Sequence, residues 1–405
     1  MRLVRLLGPK LNRIQTLKSI VTCKYLILEF GKAIRMKLLW FSWKDITNPQ
    51  AGGAEDVTHN ILKSFASEGN DVLLITASYK GADDLSNIDG YRVARVGGKW
   101  TVYLKAWLLF RKKYRNWPDV VIEECNTIPF FTRLYSRQKR LVVFYQLCRE
   151  IWFYQMFWPL SQIGYWLEPL YLSLLKKEKI VTISKSSKAD LVKYGFHDAN
   201  IEIMRLGISI ERAHASNTRR KYSEPTLLSL GAFRPMKRTL DIVKAFEIAK
   251  TDIPSLKLVM AGDNQGEYGN QVKSHLSTSP YKTDISCLGR IEEKEKMELM
   301  GKSHLIAVTS EKEGWGLIVT EAASQGTPAV GYDVDGLRDS IHNGKTGLLS
   351  KENTPAKLAQ VIVELLQDEK KLMLYSRNAW ESSLENTYDS AFRDFKSALN
   401  PVLQD

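Results

Sequence analysis

The sequence has 405 residues, too many for one ordinary hydrophobic core, so we expect two domains or one large domain with an extension. Its 44% hydrophobic and 25% charged residues exclude a disordered chain. The formal net charge of +13 predicts an anionic partner. Because the sequence has no zinc-ligand spacing and no RNP-like strand, nucleic acid is a less favoured partner than anionic lipid or phosphate-bearing substrates.

The cysteines and histidines are scattered along the chain. The four cysteines form no CxxC pair, so we expect no disulfide framework and a reducing compartment. The six histidines show no metal-ligand spacing either. The sequence therefore favours a cytoplasmic protein without a metal site.

The first 35 residues are basic and almost free of acids, with Leu and Ile distributed among the charges. They lack a clear signal-peptide core and cleavage site. Two interpretations remain open: a basic amphipathic arm on an anionic membrane, or an upstream extension before a natural start at Met36.

From Met36 the pattern becomes regular. "MKLLWFSW" predicts a buried strand, "NPQAGGAE" a glycine-rich turn and "DVTHNILKSFASEGN" a helix. Further strands follow at "DVLLITA", "YRVARVG", "DVVIEECN" and "RLVVFYQ". Strands alternating with helices predict a parallel sheet, which binds ligands beyond the carboxyl ends of its strands.

The glycine turn after the first strand matches neither the dinucleotide fingerprint nor a Walker loop. Gly52 and Gly53 can offer close backbone approach and free N–H groups to an anion or a sugar hydroxyl. An ordinary strand-to-helix turn is the alternative.

The most aromatic stretch is "REIWFYQMFWPLSQIGYWLEPLYLSLLKKEK". Glu168, Pro159 and Pro169 argue against a membrane span. Three interpretations remain open: internal helix packing, an interfacial membrane patch, or a groove for a lipid or sugar acceptor.

A polar stretch, "SIERAHASNTRRKYSEP", separates this series from a second one with strands at "TLLSLGAF", "KLVMAG", "ISCLGRI", "HLIAVTS" and "TPAVGYDV". We therefore predict an N-terminal domain over residues 36–215 and a C-terminal domain over residues 216–375. Residues 376–405 are predicted to be a helical segment that packs back on the N-terminal domain.

Two acids eight positions apart, Glu313 and Glu321, flank a Gly-Trp-Gly turn after a predicted buried strand. Acids near a helix N-terminus can simply favour the helix dipole. Ionised carboxylates also accept strong hydrogen bonds from paired hydroxyls, and glycines admit a ligand between them.

Several motifs occur together in a fixed order: "GGAE", "TISKSSKADL", "LGAFRPMKR", "EGWGLIVTEAASQGTPAVGYDVDGLRDSI" and "NGKTGLL". This combination resembles the GT4 family of retaining glycosyltransferases over nearly everything from Met36 onward. The resemblance implies an α/β fold of GT-B architecture, in which two Rossmann-like domains with parallel sheets face each other across a cleft.

The resemblance also implies the site. Glu313 would face the donor sugar and Glu321 the nucleotide ribose, with Lys237 and Arg234 as the cations at the diphosphate. Further donor-binding residues are expected at Gly314, Trp315, Gly316, Leu317, Gly52, Gly53, Gly262, Arg290 and Ile291. On the acceptor side we expect Tyr145, Gln146 and Asn126.

The sequence departs from the family pattern at two places. The family usually has Arg directly after the glycine of "LGAF", where this sequence has Ala232. We expect Arg234 to substitute for the missing Arg, and the alternative is a weakened leaving-group site. The histidine that many relatives carry after "VVF" is replaced by Tyr145 and Gln146.

Asp333 and Asp335 form a DxD sequence, a pattern that binds metal ions in other glycosyltransferases. In the GT4 family the loop at this position lies near the phosphates and carries an acidic residue, to which Asp339 is the better match. No metal is expected.

The expected function is retaining transfer from a nucleotide diphosphate sugar to a hydroxyl acceptor, a lipid-linked or envelope-polysaccharide glycan, with no obligatory cofactor. We expect peripheral attachment to the inner face of the membrane. The alternatives are a GT-B subunit that has lost catalysis and serves as a binding or partner-stabilising protein, and a sugar-nucleotide epimerase.

Overall fold

A computed structural model of the chain describes residues 35–214 and 220–404. The predicted N-terminal extension, residues 1–35, lies outside the described residues except for Arg35. In the described part, no helix is both long and apolar enough to cross a bilayer.

Residues 35–214 form an eight-stranded sheet of order β3-β4-β2-β1-β5-β6-β7-β8, in which only β3 runs antiparallel to its neighbour. The strands are β1 Lys37–Phe41, β2 Asp71–Thr76, β3 Leu85–Ile88, β4 Tyr91–Arg95, β5 Val120–Glu124, β6 Lys139–Phe144, β7 Lys179–Thr182 and β8 Ile201–Ile203. The helices are α1 Gly53–Ser67, α2 Val102–Leu109, α3 Thr132–Tyr135, α4 Trp152–Gln155, α5 Leu160–Ser173 and α6 Lys185–Lys193.

The central strand β1 is buried on both faces, which explains its continuous apolar sequence. Trp40 points to one face and stacks on Phe395 at 5.3 Å between ring centroids. Phe41 points to the other face, where it contacts Phe110 and Phe130. The alternation of side chains along β1 thus supplies the cores on both sides of the sheet.

Residues 220–404 contain a six-stranded, wholly parallel sheet of order β11-β10-β9-β12-β13-β14. Its strands are β9 Thr226–Leu230, β10 Lys257–Ala261, β11 Ile285–Cys287, β12 Leu305–Val308, β13 Ala329–Gly331 and β14 Gly347–Leu349. The helices are α7 Thr239–Asp252, α8 Gly266–Thr278, α9 Glu293–Lys302, α10 Leu317–Ser324, α11 Leu337–Ser340, α12 Pro355–Gln367, α13 Glu369–Ser383 and α14 Tyr388–Gln404. Two parallel α/β sheets confirm the predicted fold class.

The last two helices belong to different domains. Helix α13 lies against α10 of the second domain, whereas α14 packs on α1 and on strands β6 and β7 of the first. An ion pair of 2.8 Å between Arg205 and Asp394 fixes α14 beside the end of β8. Within residues 376–405, helix α14 is the part that packs on the first sheet, and Asn386 just before it donates a hydrogen bond of 3.1 Å to the carbonyl oxygen of Leu206.

The carboxyl ends of the two sheets face each other closely. A Cβ atom at Gly53, the first residue of α1, would lie 2.5 Å from Leu317 Cδ1 in the second domain. A Cβ atom at Gly314 would lie 2.7 Å from the carbonyl oxygen of Tyr145 in the first. Glycine at both positions lets the loops after β1 and β12 approach and border one cleft.

Candidate active site

The cleft between the domains has a volume of about 340 Å³. The first domain contributes Gly53, Ala54, Val57, Tyr145, Gln146, Ile183 and Leu206. The second domain contributes Leu230, Gly231, Lys237, Glu313, Gly314, Trp315, Gly316, Leu317 and Ile318. Many of the predicted site residues therefore line one space, at the sheet edge where parallel sheets bind ligands.

Glu313 and Lys237 form an ion pair in this cleft. The Lys237 Nζ atom lies 2.5 Å from Glu313 Oε1, which also accepts a hydrogen bond of 2.6 Å from Ser310 Oγ. Lys237 ends a short turn, Pro235–Lys237, that follows β9, and Glu313 lies in the loop after the neighbouring strand β12. Adjacent parallel strands thus bring the two predicted catalytic residues together, and the Ser310 contact was not predicted.

The glycines around Glu313 shape the loop. Gly316 has a φ of +89° and immediately precedes α10, so the chain enters the helix through a conformation that favours glycine. Gly336, at a φ of +78°, leaves no room for a side chain, since a Cβ atom there would lie 2.3 Å from the carbonyl oxygen of Glu313. The backbone N–H groups at the start of α10 consequently border the cleft.

Glu321 lies on α10, and its side chain is 12% exposed. Its Oε2 atom lies 2.7 Å from the Nζ of Lys296 on α9. Burial raises the pKa of the Glu321 carboxyl, Asp56 of the first domain raises it further, and Lys296 opposes both effects. Lys296 was not among the predicted site residues, because the spacing of Lys296 and Glu321 in the chain gives no sign of their contact.

The structure does not bring the predicted substitute cation to the cleft. Arg234 is exposed and does not itself line the cleft, although its carbonyl oxygen accepts a hydrogen bond of 2.9 Å from the N–H of Lys237. Arg238 pairs with Asp241 at 2.8 Å and covers the ring of Tyr332. Ala232 lines a small cavity of about 30 Å³ that also contacts Lys237 and Glu313. Of the predicted cations, Lys237 alone borders the cleft within residues 35–214 and 220–404.

On the first-domain side, Tyr145 and Gln146 line the cleft and Asn126 lies behind it. The Tyr145 hydroxyl lies 2.8 Å from Thr58 Oγ1, and burial raises its pKa well above the usual value. Gln146 Oε1 is buried without a hydrogen-bond partner in the described structure. An unpaired amide oxygen at the cleft is suited to accept a hydrogen bond from a ligand hydroxyl.

Asn126 donates a hydrogen bond of 2.7 Å to Glu124, a fully buried acid at the end of β5. Trp40 Nε1 and Thr58 Oγ1 donate to the other carboxylate oxygen at 3.2 and 2.9 Å. Burial and the nearby charge of Glu55 raise the pKa of Glu124 to about 7. Glu124 was not among the predicted site residues, although two consecutive glutamates at the end of an apolar strand could have indicated it.

Gly52 and Gly53 begin α1 at the cleft rim. The N–H of Gly52 donates a 2.7 Å hydrogen bond to Glu55 Oε2, so that group is already engaged within the first turn of the helix. Gly53 lines the cleft against Leu317. The predicted anion-binding role thus fits Gly53 better than Gly52.

Three other predicted donor residues lie at the carboxyl edge of β10 and β11. Gly262, at a φ of +143°, leaves no space for a side chain, because a Cβ atom there would lie 2.0 Å from the carbonyl oxygen of Gly231. Ile291 packs against the core of the second domain, whereas Arg290 is exposed. None of the three lines the cleft itself, although Gly262 packs directly against the cleft residue Gly231.

The acids after β13 are engaged in ion pairs or in contacts between the domains. Arg338 pairs with Asp333 at 2.5 Å and with Asp335 at 2.8 Å. Asp339 accepts hydrogen bonds from the backbone N–H and the hydroxyl of Ser186 in the first domain, at 3.1 and 2.5 Å. Across residues 35–214 and 220–404, no group of three or more His, Cys, Asp or Glu side chains is arranged to hold a metal ion.

Comparisons with known proteins agree with this architecture. The family model described as Glycosyltransferase Family 4 matches residues 51–212, and the model described as Glycosyl transferases group 1 matches residues 211–382. A curated relative, N-acetyl-alpha-D-glucosaminyl L-malate synthase of Bacillus anthracis, is 28% identical over 212 residues, which are 52% of this chain and 52% of the relative. The chain thus spans about half the length of that relative.

Two solved structures show the same fold. Sucrose-phosphate synthase from Thermosynechococcus elongatus superimposes with a TM-score of 0.74 at 15% identity, over 91% of this chain and 100% of that one. HepE of Anabaena, in complex with UDP-glucose, gives a TM-score of 0.68 at 14% identity, over 90% of this chain and 100% of the other. The two family models in their order, and the pair of facing parallel-sheet domains, show that the chain belongs to the GT4 family of glycosyltransferases and has the GT-B architecture.

Proposed function

We propose that the protein transfers a sugar from a nucleotide diphosphate sugar to a hydroxyl acceptor with retention of anomeric configuration. The observation that carries this proposal is the Lys237–Glu313 ion pair, which lies in the cleft between the domains beside the N-terminus of α10. HepE of Anabaena, a protein of the same fold, has been solved with UDP-glucose, which supports a UDP-sugar as the first donor to test.

The donor would bind mainly to the domain predicted over residues 216–375. Its diphosphate would lie between Lys237 and the free N–H groups at the start of α10, since a cation and a helix N-terminus both attract negative charge. Glu313 would accept hydrogen bonds from the sugar hydroxyls. Glu321 would take the ribose hydroxyls, and Arg234 would need to move toward the diphosphate to serve as a second cation.

In the reaction, the bond between the anomeric carbon and the diphosphate oxygen breaks, and the acceptor oxygen bonds to the same face of that carbon. The acceptor proton passes to the leaving diphosphate, so no protein base is required. Lys237 would stabilise the charge that develops on the diphosphate, which is catalysis by a preorganised electrostatic environment. No metal or other cofactor enters these steps.

Domain closure would exclude water, which competes with the acceptor for the sugar. Two contacts already join the domains beside the cleft: the Ser186 hydroxyl with Asp339, and an ion pair of 2.7 Å between Lys312 and Asp190. Both involve α6 of the first domain. This helix is thus placed to hold the closed arrangement.

The acceptor would bind to the domain predicted over residues 36–215, where Gln146 lines the cleft and its buried amide oxygen has no hydrogen-bond partner within the described residues. We propose a lipid-linked or envelope-polysaccharide glycan, reached by peripheral attachment to the inner face of the membrane. The support is the exposed aromatic surface that precedes and includes α5, together with the net charge of +13.

The proposal is tested by incubating the purified chain with UDP-, GDP- and ADP-sugars and measuring release of the nucleoside diphosphate. Glu313→Gln should abolish the release, whereas Glu352→Gln, an exposed acid outside the cleft, should leave it unchanged. Equal turnover by the wild type and Glu313→Gln would exclude this site as the catalytic one.

A non-catalytic GT-B subunit is the second candidate, and Ala232 together with the exposed position of Arg234 favours it. Such a protein would bind a nucleotide without consuming any nucleotide sugar. Ligand-induced thermal stabilisation without turnover, in the presence of extracts that contain acceptors, would select this alternative.

A further inference from the structure

Helices α2, α3 and α5 lie side by side on the face of the first sheet that is opposite to α1 and α14. The rings of Phe110 and Tyr135 connect α2 to α3, with 5.4 Å between their centroids. Phe131, immediately before α3, contacts Tyr171 of α5 at 6.4 Å. We call the outer surface of segments 97–117, 126–140 and 151–177 the helical face.

Helix α5 turns apolar side chains to the outside of this face. The exposed side chains follow helical spacing: Ile163 at 48%, Trp166 at 73%, Leu167 at 48%, Leu170 at 67% and, just after the helix, Leu174 at 38%. The inward positions instead include Ser161 and Glu168. An amphipathic helix of a globular protein normally has the opposite arrangement.

The neighbouring segments extend the apolar surface. Leu104 and Leu108 of α2 are 59% and 50% exposed, and Leu134 of α3 is 67% exposed. Before α5, Phe157 and Trp158 are 72% and 76% exposed. Soluble proteins rarely expose large apolar side chains in such number on one face unless the face binds something.

The charges of the helical face have a single sign. The three segments contain six, four and two Lys or Arg residues, twelve in all, and one carboxylate, Glu168. Two of the twelve, Arg133 and the buried Arg140, pair with Glu178 just beyond the segments, so ten remain as candidates for the surface charge. Glu168 is buried and accepts hydrogen bonds from the N–H groups of Cys148 and Arg149 and from Trp152 Nε1. No acid of these three segments is therefore exposed.

We propose that the helical face docks on the interfacial region of an anionic lipid bilayer, with Trp158 and Trp166 at the depth of the head groups. Tryptophan favours the membrane interface, and lysine and arginine close to the surface are attracted to anionic lipids. A second copy of the chain is a poorer occupant, because a twofold contact through this face would bring the same positive charges together.

The docked orientation brings lipid close to the cleft, a consequence that rests on the proposed function. Helix α4 leads from the helical face to the domain boundary, where Met236, the neighbour of Lys237, packs on Ile151 and Trp152. Tyr154 and Met236 line a cavity of about 330 Å³ between the domains. The polar head of a membrane-anchored acceptor would reach the cleft through this cavity.

The test uses the full chain and vesicles of phosphatidylcholine, with or without phosphatidylglycerol, and measures co-sedimentation. The wild type should bind the anionic vesicles, and the triple variant Trp158→Ser, Trp166→Ser, Leu170→Ser should lose about tenfold or more in partitioning. The matched control is Met373→Ser with Leu374→Ser, two exposed apolar residues of α13 in the second domain, which should bind as the wild type does.

A second pair of variants tests the charge. Lys112→Glu with Lys113→Glu, both exposed on the helical face, should weaken binding to anionic vesicles roughly tenfold or more. Lys351→Glu with Lys370→Glu makes the same change of net charge on the second domain and should have little effect.

Three results would overturn the proposal: no binding by the wild type, equal binding of neutral and anionic vesicles, or wild-type binding by both sets of helical-face variants. A wild-type dimer that the triple variant converts to a monomer, without vesicle binding by either, would assign the face to a second copy. Donor turnover in solution should stay unchanged in all these variants. Lost turnover with intact vesicle binding would therefore count against the proposed function and not against the docking face.

Discussion

Lys237 and Glu313 come from loops after two adjacent strands, β9 and β12, and lie 2.5 Å apart in the cleft. In the free protein the charges of the two residues neutralise each other. A bound donor would break this ion pair, because its diphosphate attracts the ammonium while its hydroxyls donate hydrogen bonds to the carboxylate.

Replacing Lys237 by Ala should lower turnover by about 10²- to 10³-fold, as removal of one preorganised group for charge stabilisation does in other enzymes. The affinity for the donor should fall much less. Steady-state release of nucleoside diphosphate gives both values. The control is Arg234→Ala. If that variant loses as much turnover as Lys237→Ala, Arg234 moves to the diphosphate when the donor binds.

Replacing Lys296 by Met should make nucleotide binding pH-dependent. Burial and Asp56 raise the pKa of Glu321, and Lys296 opposes this shift, so its removal raises the pKa further. In the proposed binding mode the ribose hydroxyls donate to the ionised Glu321 carboxylate, so the variant should lose affinity at a higher pH than the wild type does as the pH falls. Titration calorimetry from pH 8 to pH 5 would measure the difference.

Lys296→Arg should restore the wild-type profile, because it keeps the charge beside Glu321. The other charged groups near Glu321, Asp56 of the first domain and Glu293 of α9, are unchanged in both variants. Parallel pH profiles for Lys296→Met and the wild type would show that Lys296 does not act through the Glu321 charge.

Replacing Glu124 by Gln should stabilise the protein at alkaline pH. The Glu124 pKa is about 7 in the fold against an ordinary value of 4.5, so the folded state holds the proton more tightly. The free energy of unfolding of the wild type should therefore fall as the pH rises from about 4.5 to about 7, and stay constant above. The Gln variant cannot lose this proton and should gain about 3 kcal/mol at pH 8 and little at pH 4.

Urea denaturation at the two pH values measures this gain. Glu202→Gln changes an exposed acid of β8 and should shift stability by less than about 0.5 kcal/mol at either pH. A Glu124→Gln variant that is equally destabilised at pH 4 and pH 8 would mean that the carboxylate is ionised throughout.

Replacing Gly314 by Ala should impair closure of the cleft. The added Cβ would lie 2.7 Å from the Tyr145 carbonyl oxygen and 3.1 Å from Ile183 Cδ1, both in the opposite domain. Turnover should fall at least about tenfold, while the melting temperature changes little, because neither domain core is altered. Gly98→Ala, where a Cβ has open space, is the control and should keep full activity.

The sequence predicts the part of the structure that depends on local pattern and on the family motifs. The apolar runs of β1, β5 and β12 are buried as expected, and the predicted catalytic pair, Lys237 and Glu313, meets in the cleft. Both residues follow strands directly, so the order of parallel strands is enough to bring them together.

The remaining contacts of the site depend on tertiary packing. Lys296 reaches Glu321 from another helix, and Glu124 is surrounded by Trp40 and Thr58 from separate elements. The three interpretations of the aromatic stretch could not be separated either, because α5 carries apolar residues on both sides. In the structure, the burial of Glu168 against the first domain shows which side of α5 is exposed.

The return of α14 to the first sheet means that the chain crosses between the domains twice, after β8 and again at residues 384–387. Two connections between the domains permit the domains to rotate relative to each other about one axis. They oppose separation of the domains and sliding of one domain along the other. The first domain is thus not formed by one continuous stretch of the chain. A fragment that stops at residue 383 would expose Trp40, because its stacking partner Phe395 is supplied from beyond the second domain.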